Sequence, residues 1–334
     1  MKKKGIGISL GVHPSGLKGG GDPSQAQLRL KPDGTLDLLN GAVDIGQGCK
    51  TILRQFAADT LGVPLESITH NNFDTDVGPM CTGTFASRVT FMDGNAVILA
   101  ANDLKSKILA FVAGMWGVDK EQLDMADGKV YMKDDPSKTM GMADVGLAAN
   151  WGGAFLVGTG SFIPGANQAF EKDTGKMTAV AALAYHACVA EVEVDTDTGQ
   201  VDILKLVHVH DVGKAINPLL IKSQVNGGAM MGIGFALTEN VYPYYPAMDN
   251  VIQDLGDYLI PTAADMPPII LDGIVEIPNP HGPLGAKGFA ENSASGPPSA
   301  ILSAIHNATG VWITEYPASP ERILRALKPE DICA

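Results

Sequence analysis

Aromatic side chains make up only 6% of this 334-residue chain, charged ones only 18%, and the four cysteines form no CxxC pair. Cys49, Cys81, Cys188 and Cys333 lie too far apart in sequence to read as a disulfide scaffold, a zinc site or an iron–sulfur motif. Basic residues are also scarce. The 24 Lys and Arg against 37 Asp and Glu give a formal charge of −13, which argues against holding nucleic acid or an anionic membrane through a general basic field. No apolar run approaches the roughly 18 residues of a membrane span. Met1-Lys2-Lys3-Lys4 imitates the start of a signal peptide, but the Gly-rich stretch after it has no apolar h-region. These absences point to an acidic, soluble, cytoplasmic protein.

What the chain has in quantity is glycine (39) and proline (21), alongside 45% hydrophobic residues. That is enough to bury a core of about two domains' size around many tight turns. Residues 5–22 read as irregular backbone. Gln25–Lys31 and Thr35–Val43 alternate around Pro32-Asp33-Gly34 as a hairpin, and Ile52, Leu53, Phe56, Ala57 and Leu61 form a helical stripe ended by Gly62 and Pro64. A strand over Ser67–Phe73, a long helix over Met92–Val112 and a hairpin over Leu123–Met132 follow. Residues 140–165 show no clear period and suggest a boundary, with one part over 1–150 and another over 151–334. Beyond it lie a hairpin of Cys188–Val194 with Val201–Val209, a helix Pro218–Leu237, and an extended, proline-rich stretch 256–283. A helix Ser295–Thr309, a strand Val311–Glu315 and a helix Pro320–Leu327 close the chain. Irregular alternation of strands and helices, with hairpins, favours an α+β fold of mixed sheets and packed helices.

Four Gly-rich loops carry polar side chains: 46–48, 83–88, 226–234 and 282–288. Exposed backbone N–H groups in such loops suit phosphates or the carbonyls of a heterocycle, although none is a P-loop or a dinucleotide fingerprint. His208 and His210 share one face of a strand, which suits either a metal or simple strand-end packing; a metal would need further ligands. Glu291 precedes a helix, and reads either as an acid favoured by the helix dipole or as a general base presented from a strand-to-helix loop.

Taken in order, these loops resemble the second half of the molybdenum-binding subunit of the xanthine dehydrogenase (molybdenum hydroxylase) family. Asp44-Ile-Gly-Gln-Gly48 resembles its E-M-G-Q-G loop, and Thr84-Phe-Ala-Ser-Arg88 with Asp93-Gly94 its second pterin loop. Asp211-Val-Gly-Lys-Ala-Ile-Asn-Pro218 with Ser223-Gln-Val-Asn-Gly-Gly228 resembles D-x-G-x-x-I-N-P … G-Q-x-x-G-G. Gly282-Pro-Leu-Gly-Ala-Lys-Gly-Phe-Ala-Glu291 resembles G-P-x-G-A-K-G-x-G-E, whose glutamate is the family's base. The match runs from about Gly5 to Leu327.

The resemblance implies an α+β, two-part molybdopterin-binding fold and a set of residue roles. Glu291 would be the catalytic base. Gly46, Gln47, Gly48, Ala86, Ser87, Arg88, Gln224, Gly288, Phe289 and Ala290 would hold the cofactor. Leu10 and Gly11 would line the substrate pocket, Leu10 standing where purine-oxidising members carry a stacking aromatic. The cofactor implied is molybdopterin, in its cytosine dinucleotide form, with molybdenum held by the pterin dithiolene and no direct protein ligand. The reaction implied inserts water-derived oxygen at an electron-poor carbon of an N-heteroaromatic substrate; aldehyde oxidation and non-catalytic cofactor holding are the alternatives. Because the family's first half is absent, the chain is similar to the divided molybdenum subunit of nicotinate dehydrogenase. The implied partners are a second molybdopterin-binding subunit, an iron–sulfur subunit and an FAD subunit.

Overall fold

The computed structural model describes the chain except residues 19–20, 72–73, 166–170, 177–178, 241–251, 253, 269 and 329–334. Strands β1 (Lys2–Leu17), β2 (Ser24–Leu30) and β3 (Leu36–Asn40) are followed by helix α1 (Cys49–Leu61), β4 (Ile68–Asn71) and helix α2 (Arg88–Trp116). Next come β5 (Leu123–Ala126), β6 (Lys129–Met132), β7 (Thr139–Gly141), α3 (Met142–Trp151) and β8 (Val157–Phe162). Then follow β9 (Val180–Asp195), β10 (Val201–Asp211), α4 (Pro218–Leu237), β11 (Ile270–Val275), α5 (Asn292–Thr309) and α6 (Pro320–Leu327). The fold is α+β.

The three hairpins form where alternation placed them: β2 with β3, β5 with β6, and β9 with β10 are each antiparallel. Other expectations are corrected. Residues 2–17 form β1 and are not irregular, because the small residues make one face of that strand. A Cβ on Gly5 or Gly7 would sit 2.2 Å from Ala304 O or 2.1 Å from Ala300 O, so the strand backbone lies directly on α5. Residues 142–151 form α3, whose run of small residues hid its period. Val311–Glu315 carries no strand. The end of the expected strand Ser67–Phe73, at 72–73, lies outside the described residues.

Two compact units interleave along the sequence. The first comprises 1–13, 184–277 and 289–334; the second comprises 14–183 and 278–288. They therefore do not follow the expected division into 1–150 and 151–334: β1 and β9 are long strands that each contribute residues to both units.

In the first unit the sheet order is β1-β9-β10-β11, with β10 and β11 parallel. Cys188, Ala190, Val192, Val194 and Leu206 form one buried cluster with Ala229 and Ile233 of α4 and Ala300, Ile301, Ala304 and Ile305 of α5. Each large aliphatic chain buried there contributes about 1.5–3 kcal/mol relative to exposure. Glycine inside α4 is compensated by close packing at Gly228, where a Cβ would meet Ser293 Oγ at 1.8 Å. Gly227 has no such neighbour within 4 Å.

In the second unit the sheet order is β4-β3-β2-β8, with a separate small sheet β5-β6-β7. Helix α2 lies along β8 closely enough that a Cβ on Gly158 would come 2.1 Å from Ala100 O.

Candidate cofactor-binding and proton-transfer residues

In the second unit, Asp44 organises the loop that carries Gln47. Its carboxylate accepts from the N–H groups of Gly46 (3.0 Å), Gly48 (3.2 Å) and Lys50 (3.1 Å). Burial pushes the Asp44 carboxyl up, but those N–H groups outweigh it and hold it below its ordinary value. Gln47 Oε1 accepts from Ile45 N (2.7 Å) and its Nε2 donates to Val43 O (3.0 Å). One N–H and one lone pair of the amide remain for a further partner. Gly46, at φ 107°, would put a Cβ into open space.

Arg88 differs from the expectation of a side chain lining the cofactor path. It is 1% exposed and bonds Asp22, Asp93 (3.2 Å), Ser24 Oγ (2.6 Å), Pro23 O (3.0 Å), Gly83 O (2.9 Å) and Cys81 Sγ (3.0 Å). All five guanidinium N–H donors thus have acceptors inside the unit, and the side chain braces the 81–88 loop from behind. That brace supports an unusual backbone, since Ala86 and Ser87 both adopt left-handed conformations (φ 47° and 52°). Such positions cost about 1–3 kcal/mol each and concentrate at functional loops. Ser87 precedes α2 without capping it by its side chain, and the first turn of α2 holds no acid. Gly288 closes on this loop: a Cβ there would sit 1.7 Å from Ser87 O.

In the first unit, Glu291 stands immediately before α5, its side chain 49% exposed. The carboxylate does not cap the helix. Its Oε2 lies 3.5 Å from His13 Nε2. The next residue, Asn292, is fully buried; its Nδ2 donates to Ala184 O (3.1 Å), which turns its Oδ1 to His186 Nδ1. Phe289 is 8% exposed and belongs to a cluster with Ala184, Val212, Ile221 and Val225, its ring 5.5 Å from His210. Its side chain therefore packs inward. Ala290 is half-buried and its carbonyl accepts from Ser293 Oγ (2.6 Å).

Leu10 and Gly11 point opposite ways along β1. Leu10 is 79% exposed, whereas a Cβ on Gly11 would sit 2.3 Å from His186 Cε1. The position of Gly11 is thus a backbone-on-ring contact within the unit and not an open pocket wall. On α4, the half-buried Gln224 gives its backbone carbonyl to Ser293 Oγ (3.0 Å), and its amide forms no hydrogen bond among the described residues. Two residues on, Asn226 Oδ1 is buried without a donor.

His208 and His210 are joined by His186, which pairs across the β9/β10 ladder with His210. The His208 and His210 ring centres are 4.4 Å apart, and both rings are fully buried with all four nitrogens unpartnered among the described residues. Burial first, and the neighbouring rings second, lower His208 to about 3 and His210 to about 4. Among the described residues no three His, Cys, Asp or Glu side chains could hold a metal ion.

Each unit by itself holds groups that fit part of a molybdopterin. In the second unit, the start of α2 behind two left-handed residues suits a phosphate and the Gln47 amide a pterin edge; in the first, the Gln224 amide suits a pterin edge and Asn226 Oδ1 lacks a donor among the described residues. His13, His186 and Asn292 were not singled out from sequence as site residues. Their contacts span 106 to 278 positions, and no local spacing signals them.

Residues 1–267 match the molybdopterin cofactor-binding domain, and the chain belongs to that family. It is 31% identical over 326 residues to the xanthine dehydrogenase molybdenum-binding subunit of Escherichia coli O157:H7, covering 96% of this chain and 42% of that protein. It is also 31% identical over 339 residues to the nicotine 6-hydroxylase large subunit of Paenarthrobacter nicotinovorans, covering 98% and 41%. Among solved structures, quinoline 2-oxidoreductase from Pseudomonas putida 86 superposes with a TM-score of 0.85 at 28% identity, over 98% of this chain and 42% of that one. The chain thus spans about two fifths of the length of these relatives. Among the described residues, no helix is long and apolar enough to cross a membrane.

Proposed function

We propose that this chain forms the cofactor-holding, proton-accepting part of a cytoplasmic molybdenum hydroxylase that acts on an N-heteroaromatic ring. The observation that carries the reading is Glu291: a half-exposed carboxylate before α5 that is not used to cap its own helix. The resemblance of Gly282–Glu291 to the family's base motif supports this reading. The names of two relatives, nicotine 6-hydroxylase and quinoline 2-oxidoreductase, support the substrate class.

Bound molybdopterin, in its cytosine dinucleotide form, would supply a two-electron redox centre that activates water near neutral pH. Gln47 and Gln224 would each present an amide to it, and the backbone at Ala86, Ser87 and Gly288 would approach it closely. Arg88 would act indirectly by holding the 86–87 backbone in its left-handed form. Glu291 would accept a proton as oxygen is transferred to carbon; Asn292, locked at both ends of its amide, fixes where that carboxylate starts. Leu10, aliphatic and exposed, would contact substrate without aromatic stacking. The remaining half of the pocket would come from a second molybdopterin-binding polypeptide, and electrons would leave through iron–sulfur and FAD subunits. In the relatives the matched region is accompanied by further sequence.

Purifying the native assembly, with metal and nucleotide analysis, tests the reading. Stoichiometric molybdenum with CMP released on hydrolysis, and rapid cofactor reduction by N-heteroaromatics, are expected. Reduction by aldehydes alone would shift the substrate class, and absence of molybdenum from the assembly would overturn the reading.

A further inference from the structure

The contact between His13 and Glu291 is unexplained by the roles set out so far. His13 Nε2 is shielded from water, forms no hydrogen bond among the described residues, and lies 3.5 Å from Glu291 Oε2. The two side chains are 21% and 49% exposed. The carboxylate has turned from its own helix N-terminus toward an imidazole that water does not reach at this nitrogen. A ring nitrogen buried without a partner costs free energy, and closing the gap to the length of a charge-assisted hydrogen bond, about 2.8 Å, would remove that cost.

We propose that His13 is a positioning residue for Glu291: its Nε2–H, 3.5 Å from Oε2, draws the carboxylate toward the ring and orients it. The inference rests on the reading of Glu291 as the base. From α5 the titratable group facing His13 is Glu291. On β9 the titratable ring is His186, which lies under Gly11 and bonds Asn292. On its own strand, the charged groups are Lys2, Lys3 and Lys4 at the opposite end of β1.

Histidine C2–H exchange followed by mass spectrometry reports single-histidine titrations in assemblies of any size. Tryptic cleavage after Lys4 and Lys18 isolates His13 as the only histidine of its peptide. In the native assembly, Glu291→Gln should lower the His13 midpoint, because a neighbouring opposite charge is lost. His13→Gln should shift the acid limb of the pH profile of kcat/KM while KM at the optimum stays within twofold. An unchanged His13 midpoint in Glu291→Gln overturns the proposal, whatever happens to turnover. If instead the midpoint shifts but Glu291→Gln turns over normally, the pair stands and the assignment of Glu291 as base falls.

Discussion

Asn292 Oδ1 accepts the Nδ1–H of His186 while its Nδ2 donates to Ala184 O, so one buried amide fastens the start of α5 to two positions on β9. Its orientation also fixes the tautomer, because only Nδ1–H can serve that oxygen. Replacing Asn292 with Leu would leave a buried carbonyl and a buried ring N–H without partners, at about 1–3 kcal/mol for each. The urea midpoint of Asn292→Leu should fall accordingly, and a midpoint equal to wild type would show that the amide is dispensable.

Acid should weaken the fold through the buried histidines. His208 at about 3, and His210 and His70 at about 4, all lie below the ordinary 6.5, chiefly through burial. Above pH 6.5 these rings are neutral whether the chain is folded or not, and contribute no pH dependence. As pH falls from 6.5 toward 4, the unfolded chain takes up protons that the folded chain refuses. Stability should then drop by up to about 1.4 kcal/mol per histidine per pH unit. Urea unfolding at pH 7, 6 and 5 reads this directly; a flat midpoint across that range contradicts it. His208→Met should reduce the slope.

Glu291→Gln keeps the shape of the side chain and removes its ability to accept a proton at neutral pH. In the assembled enzyme, single-turnover cofactor reduction should slow by about 10²- to 10⁴-fold, the usual scale of general-base assistance. Molybdenum content should stay at the wild-type value and α5 should keep its start, because the carboxylate does not cap that helix. A variant that reduces its cofactor within tenfold of wild type removes Glu291 from the role.

The two glutamines should behave differently. Gln47→Ala loses the bonds to Ile45 N and Val43 O, so it should loosen the 43–48 loop as well as lower cofactor occupancy. Gln224→Ala disturbs no side-chain hydrogen bond among the described residues, and should lower occupancy with the melting temperature of the cofactor-free chain unchanged. Limited proteolysis of the cofactor-free protein separates them: only Gln47→Ala should be cut faster near the loop. Full occupancy in both variants would refute the assignment of both amides.

Neighbouring glycines in α4 offer a matched pair. Gly228→Ala drives a methyl group to within 1.8 Å of Ser293 Oγ and should destabilise by about 1–3 kcal/mol. Gly227→Ala meets nothing within 4 Å and should stabilise the helix by about 0.5–1 kcal/mol. Opposite signs in denaturant unfolding are expected; equal signs would mean that helix propensity alone decides.

Much of this was legible in the sequence because it was local. Hairpins announced themselves through alternation around Asp33-Gly34 and Asp127-Gly128, and α1 through its stripe from Ile52 to Leu61. The motif loops were legible for the same reason, each being a short run of residues. Side-chain direction was not. Arg88 and Phe289 sit in motif positions but turn inward, the first to Asp22 and Asp93 and the second to His210, partners 66, 5 and 79 positions away. β1 was read as loop because its glycines signal turns unless a helix 300 residues later is known to lie on them. His13 and His186 drew no notice for the same reason: what makes them matter is a contact, and contacts between distant residues leave no spacing to read.

That seat of β1 on α5 has a consequence for how the protein is made. Strand β1 carries Ile6, Ile8, Leu10 and Val12 on one side, and on the other the glycines that fit only against Ala300 and Ala304. Neither its sheet neighbour β9 nor its helix exists until translation has passed residues 180 and 292. Residues 14–183 can therefore condense first, while β1 waits, apolar and unpaired, for β9 and α5 to be made.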